Sequence, residues 1–123
     1  GTPSDEMRNI YDIVLRAQLS ALEAIGKGKP CKDIDYIARK VIEDAGYGKN
    51  FGHSLGHSVG IEIHENPNLS PKSDDILEVG NVVSVEPGIY LDGFFGVRIE
   101  DLVVIDEKNT VNLTKSKKEL VII

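Results

Sequence analysis

The sequence predicts an α+β fold, with two N-terminal helices packed on one face of a mainly antiparallel sheet. Two observations carry this. Apolar residues recur at helical spacing through the first third of the chain, and past Gly48 the composition shifts to glycine and β-branched residues. There is no internal repeat and no linker that would split the chain, so it reads as one domain or part of one.

The elements follow in order. Thr2 suits an N-cap, Pro3 the first helical position, and Asp5 closes a capping-box-like pair. The stripe Met7, Ile10, Tyr11, Val14, Ala17, Ala21, Leu22 and Ile25 then predicts a helix, ended by the turn Gly26-Lys27-Gly28-Lys29-Pro30. A second helix is expected from about Cys31 or Lys32 to Ala45. Its stripe is Ile34, Ile37, Ala38, Val41, Ile42 and Ala45, and Gly46 stands where a C′ glycine belongs. Ile61-Glu62-Ile63-His64 alternates like a strand with one wet face. The stretch from Asn66 to Asp75 is polar and contains proline, which predicts a loop. Asn81 to Glu86 reads as a strand ended by Pro87-Gly88, and Gly96 to Ile105 as another. Thr110 to Leu113 and Glu119 to Ile123 suit short strands.

Composition excludes several classes. Of the 123 residues, 41% are hydrophobic and 28% charged, enough apolar surface for a real core without disulfide staples. Fourteen basic residues against twenty acidic ones leave a net charge of −6, so there is no broad basic field for nucleic acid or an anionic membrane. Cys31 is the single cysteine, which excludes an internal disulfide and a cysteine-only metal site. It stands near a helix start, where a dipole can activate a thiol, but a passive cysteine is the expectation. With neither a membrane-span run nor a signal peptide visible, a cytoplasmic location is the default expectation.

The chemistry concentrates in three places. All three histidines, His53, His57 and His64, lie in the run Gly52-His53-Ser54-Leu55-Gly56-His57-Ser58-Val59-Gly60-Ile61-Glu62-Ile63-His64-Glu65-Asn66-Pro67. Glycine at every fourth position permits tight backbone paths that aim several imidazoles at one cavity. Imidazole beside carboxylate suits divalent Zn, Mn, Co or Fe. Taken singly, each histidine also suits an exposed or hydrogen-bonded structural role. His64-Glu65-Asn66-Pro67-Asn68 does not satisfy the H-E-x-x-H pattern, because Asn68 is not histidine. Glu86 ends an apolar strand, and Glu100 lies within one, where a carboxylate is expensive unless paired or metal-bound. Alone, Glu86 suits a strand end facing water, and Glu100 an ion pair with Arg98 on its own strand face.

Together the histidine run, Ser84-Val85-Glu86-Pro87-Gly88-Ile89-Tyr90 and Gly96-Val97-Arg98-Ile99-Glu100-Asp101 resemble the pita-bread metallopeptidases of family M24. These comprise the Xaa-Pro aminopeptidases and Xaa-Pro dipeptidases (prolidases), with methionine aminopeptidases as relatives. The resemblance covers essentially the whole chain, and the short gap between Glu86 and Glu100 looks like the prolidase and aminopeptidase P branch. It implies that His57, Glu86 and Glu100 are metal ligands, with Glu86 also the proton shuttle and Glu100 bridging two metals. It implies that His64 contacts substrate and stabilises the tetrahedral intermediate, that His53 lies near the substrate proline pocket, and that Tyr90 and Arg98 line or brace the site.

The implied reaction is hydrolysis of the bond between an N-terminal residue and proline by a metal-bound hydroxide, with two divalent ions (Mn, Co or Zn). The implied fold is the C-terminal half of the pita-bread fold, its two helices on a curved sheet. On this reading residues 1–123 are a partial catalytic domain. The N-terminal domain and an upstream hairpin bearing two aspartate ligands lie outside it. The isolated chain is then expected to bind one metal weakly or none, to lack peptidase activity and to self-associate, whereas the parent is expected to be a homodimer acting on proline-containing peptides. The alternative from another class is a non-catalytic binding module on the same fold.

Overall fold

A computed structural model describes residues 3–59, 67–91, 93, 95–108, 110–113 and 117–122. The strand expected at Ile61–His64 and the N-cap expected at Thr2 lie outside the described residues. The elements are α1 (Pro3–Ala24), α2 (Cys31–Asp44), β1 (Val82–Val85), β2 (Gly88–Leu91), β3 (Phe95–Ile105), β4 (Thr110–Asn112) and β5 (Lys117–Ile122), with a 3-10 turn at Gly48–Asn50.

Helix α1 begins at Pro3, whose ring presets a helical φ, and carries Asp5 and Glu6 in its first turn, where negative charge offsets the helix dipole. Its stripe buries Ile10, Val14, Ala17 and Ala21 completely. The turn to α2 is tied down at a distance: Gly28 N–H donates to Leu77 O (2.8 Å), Leu77 N–H to Lys29 O (3.0 Å) and Cys31 N–H to Asp75 O (2.9 Å). Helix α2 ends at Asp44 and is capped by Ala45, followed by Gly46 at φ +94°. Tyr47 N–H reaches Ile42 O and Gly46 N–H reaches Glu43 O, the paired bonds of a Schellman cap. Only Gly46 escapes strain in that left-handed backbone.

The buried face of α2 differs from the stripe expected of it. Cys31, Ile34, Asp35, Ala38 and Ile42 are buried, whereas Ile37, Val41 and Ala45 are only half-buried. The helix is turned so that an acidic residue faces inward, because the segment packed beside it supplies donors for that carboxylate, as described below.

β3 is the axis of the sheet. β1 pairs antiparallel with its second half (Val82↔Val104 to Val85↔Asp101) and β2 with its first half (Gly88↔Arg98 to Leu91↔Phe95). β4 and β5 pair with it as well, at Val103–Ile105 and Phe95–Glu100 respectively. The strand expected to stop at Pro87-Gly88 resumes at Gly88. Pro87 has no N–H to give, but its carbonyl accepts from Ile99 N–H (3.3 Å), so β1 and β2 follow one unbroken register along β3. Alternation along β3 places Val97, Ile99, Val103 and Ile105 in the core with the helices. Arg98, Glu100, Leu102 and Val104 fall on the opposite face. In the same register Ser84, Glu86 and Tyr90 join that face.

Candidate active site

The site is assembled by a non-helical segment laid against β1. Glu86 N–H donates to Leu55 O (2.7 Å), Ser84 N–H to His57 O (2.9 Å) and Val59 N–H to Val82 O (2.8 Å), and His57 N–H donates to Ser84 Oγ (3.0 Å). Residues 55–59 therefore act as a further strand at the edge of β1. Gly56 makes this approach possible, since a Cβ there would stand 1.7 Å from Ser84 O. On its other side Gly56 exchanges backbone bonds with Leu69 (3.3 and 2.9 Å), inside the stretch expected to be a loop.

This pairing brings His57 to Glu86. His57 Nε2 lies 3.5 Å from Glu86 Oε2, with the imidazole 60% exposed and the glutamate side chain 14% exposed. Glu86 is thus largely enclosed, not a strand end turned to water. His57 Nδ1 lies 3.1 Å from Ser58 O. A carbonyl only accepts, so Nδ1 carries a proton in this contact, and in the neutral ring the Nε2 lone pair faces the carboxylate oxygen. Two acceptors aimed at one space call for a proton or a cation between them. Ligand bonds of about 2.1 Å in tetrahedral geometry put neighbouring donors about 3.4 Å apart, close to the 3.5 Å found here.

Glu100 belongs to the same face. The pairs Val85↔Asp101 and Gly88↔Arg98 bracket Glu86 and Glu100, so the register sets these two carboxylates opposite each other. Like charges in opposed cross-strand positions repel, and a divalent cation reverses that cost. Among the described residues, no group of three His, Cys, Asp or Glu side chains is gathered as a ligand set. His57 and Glu86 are paired directly, and Glu100 joins them through the ladder. The donor chemistry fits a divalent cation.

His53 and Tyr90 are also brought together. His53 Nδ1 contacts Ser54 O (2.7 Å), and its Nε2 lies within hydrogen-bond distance of the Tyr90 hydroxyl (3.1 Å). The two rings meet edge-on at 5.5 Å, and Phe51 meets His53 edge-on from another side at 5.0 Å. Asn50 Nδ2 donates to Tyr90 O (3.1 Å), fastening the 3-10 turn to β2. Arg98 is half-buried on the Glu86 and Glu100 face. His64 lies outside the described residues.

Two residues escaped the sequence reading. Asp35 and Arg39, one helical turn apart on α2, form a bidentate pair whose partners include the backbone of the histidine segment. The available signal was an acid at position 35 beside Ile34 and Ala38, with an arginine four residues on. Cys31 is buried and takes no part in the site; burial, then the Asp75 carboxylate, pushes its thiol up to about 11 despite an opposing hydrogen bond from Ser73. No helix among the described residues is long and apolar enough to cross a membrane.

The model of metallopeptidase family M24 matches residues 1–107. The chain belongs to metallopeptidase family M24. It is 49% identical over 120 residues to an Xaa-Pro dipeptidase of Pyrococcus furiosus, a match covering 98% of this chain and 34% of that protein. The solved prolidase from Pyrococcus furiosus superimposes with a TM-score of 0.87 at 49% identity, covering 95% of this chain and 35% of that one. The X-Pro aminopeptidase from Thermotoga maritima superimposes with a TM-score of 0.85 at 48% identity, covering 94% and 33%. These neighbours have the pita-bread fold, and the two helices on an antiparallel sheet are the corresponding part of it. The M24 chain spans about a third of the length of the relatives it matches.

Proposed function

We propose that this chain carries the histidine and glutamate part of the active site of a proline-specific metallopeptidase, an Xaa-Pro dipeptidase or aminopeptidase. The observation that carries the proposal is His57 Nε2 lying 3.5 Å from Glu86 Oε2, with Glu100 opposite Glu86 in the sheet register. The names borne by the relatives support the substrate class.

On this reading His57, Glu86 and Glu100 hold divalent cation. When bound, the metal supplies Lewis-acid charge and lowers the pKa of water. The chain's own residues do the rest. Glu86 takes and returns a proton at its carboxylate, its enclosure restricting exchange with bulk water. His53, its ring held by Ser54 O and the Tyr90 hydroxyl, presents a fixed edge to the substrate proline. His64 and Arg98 contact the substrate and brace the site. A complete centre takes two cations, with two aspartate ligands from outside this chain. Alone, the chain therefore binds at most one ion and hydrolyses no Xaa-Pro peptide, because three donors serve one cation.

The test is calorimetric titration of the purified chain with Mn²⁺, Co²⁺ and Zn²⁺ beside His57→Ala. Binding at about one site, abolished in the variant, is the expected result. Equal binding by the variant would remove His57 from the ligand set and sink the assignment.

A further inference from the structure

Among the described residues, the histidine segment 51–59 forms no helix and is tied to β1 only along 55–59. What grips it from the helix side is the Asp35–Arg39 pair of α2. The Asp35 side chain is 1% exposed and that of Arg39 19%. Arg39 Nε donates to Asp35 Oδ1 (2.8 Å) and Nη2 to Oδ2 (3.0 Å), while Asp35 Oδ2 also accepts from Leu55 N–H (3.0 Å). Arg39 then reaches two more carbonyls of the segment, Phe51 O from Nη1 (3.2 Å) and His53 O from Nη2 (2.9 Å). Its guanidinium carbon lies 4.2 Å from the centre of the Phe51 ring, whose edge contact orients His53.

We propose that Asp35 and Arg39 are positioning residues that set His53 and the His57–Glu86 pair from beneath. The Leu55 backbone is the relay. Its N–H is held by Asp35 and its carbonyl receives Glu86 N–H at 2.7 Å, so the backbone of one residue, through two successive peptide units, connects the buried carboxylate to Glu86. Two residues further on stands His57. Arg39 performs the matching task for His53, fixing its carbonyl and its neighbouring ring. A bare charge cannot do this, because the fork must span a carboxylate and two carbonyls at once; lysine offers a point charge with no fork. The pair touches neither imidazole and acts only through the backbone. That this backbone belongs to an active site rests on the function proposed above; that the clamp holds it does not.

The test uses the chain itself, with amide hydrogen exchange read residue by residue and Zn²⁺ titrated by calorimetry. Asp35→Asn keeps the shape but turns one acceptor into a donor, which leaves Leu55 N–H or the guanidinium facing a like group. Leu55 exchange should speed at least about tenfold while Val14 and Ile99 amides change less than about twofold, a hydrogen bond to a charged acceptor being the loss. The dissociation constant for Zn²⁺ should rise by about the same factor. Arg39→Lys should loosen the 51–53 backbone and change the His53 ring signals without restoring tight binding. Uniform acceleration of all amides in Asp35→Asn, or none at Leu55, would overturn the proposal by making the pair a general fold stabiliser. If Asp35→Asn does not fold, Arg39→Lys decides: loop exchange and His53 signals equal to wild type refute the clamp. If the wild type binds no Zn²⁺, the exchange measurements alone judge the clamp: no acceleration at Leu55 in Asp35→Asn refutes it, and acceleration confined to Leu55 and its neighbours supports it.

Discussion

Replacing Gly56 with alanine tests how the site is built. The new Cβ would stand 1.7 Å from Ser84 O and 2.7 Å from Ser84 C, whereas ordinary contact begins near 3.4 Å. Those atoms are backbone in a sheet and cannot swing aside as a side-chain tip can. The 55–59 segment must therefore retreat by well over an ångström. The bonds Glu86 N–Leu55 O (2.7 Å) and Ser84 N–His57 O (2.9 Å) then stretch out of range. Two hydrogen bonds at about 1 kcal/mol each, plus the penalty of a buried group left unmatched, come to about 3 kcal/mol. With unfolding entropy of about 2.1 cal/mol/K per residue, a chain of 123 residues loses about 12 °C of melting temperature. Thermal melts followed by circular dichroism measure it. The control is Gly52→Ala, where an added Cβ meets nothing within 4 Å; it should shift the melt by less than about 3 °C. A Gly56→Ala melt within that same margin would refute the close-approach account, and with it the explanation of why His57 lies beside Glu86.

Other outcomes follow from the core and from its buried thiol. Ile99 is 1% exposed on the helix-facing side of β3, so Ile99→Ala should lower the unfolding free energy by about 2–5 kcal/mol in guanidinium titrations, and a loss below about 1 kcal/mol would contradict its placement. Cys31 titrates at about 11 in the fold against an ordinary 9.0. Between those values the unfolded chain gives up the thiol proton first, so the contribution is fully present below 9.0 and is lost as pH rises towards about 11, amounting to about 3 kcal/mol. Denaturant midpoints at the two ends of that window, compared with Cys31→Ala to subtract other titrating groups, measure it; identical slopes would show that the thiol is not desolvated.

Parts of this architecture were legible because their causes are local. A 3.6-residue apolar period and a proline start define α1, and Gly46 closes α2 through a cap made within a few residues. The motif residues were legible as chemical types in order. β2 was not, because Pro87 reads as a stop until its carbonyl is seen receiving Ile99 N–H from a neighbouring strand. Nor was the turn of α2 about its axis. An acid at position 35 counts as surface until Leu55 N–H and the Arg39 fork are brought to it.

By itself, then, the sequence determined the fold class, the helices, the alternation of β3 and the chemical types present at positions 57, 86 and 100. Tertiary structure alone decided that Glu86 and Glu100 share a face, that Glu86 is enclosed, and that His57 meets it at 3.5 Å. Periodicity is set by neighbours in the chain, whereas a register between residues 55–59 and 82–86 exists only once distant backbones exchange hydrogen bonds.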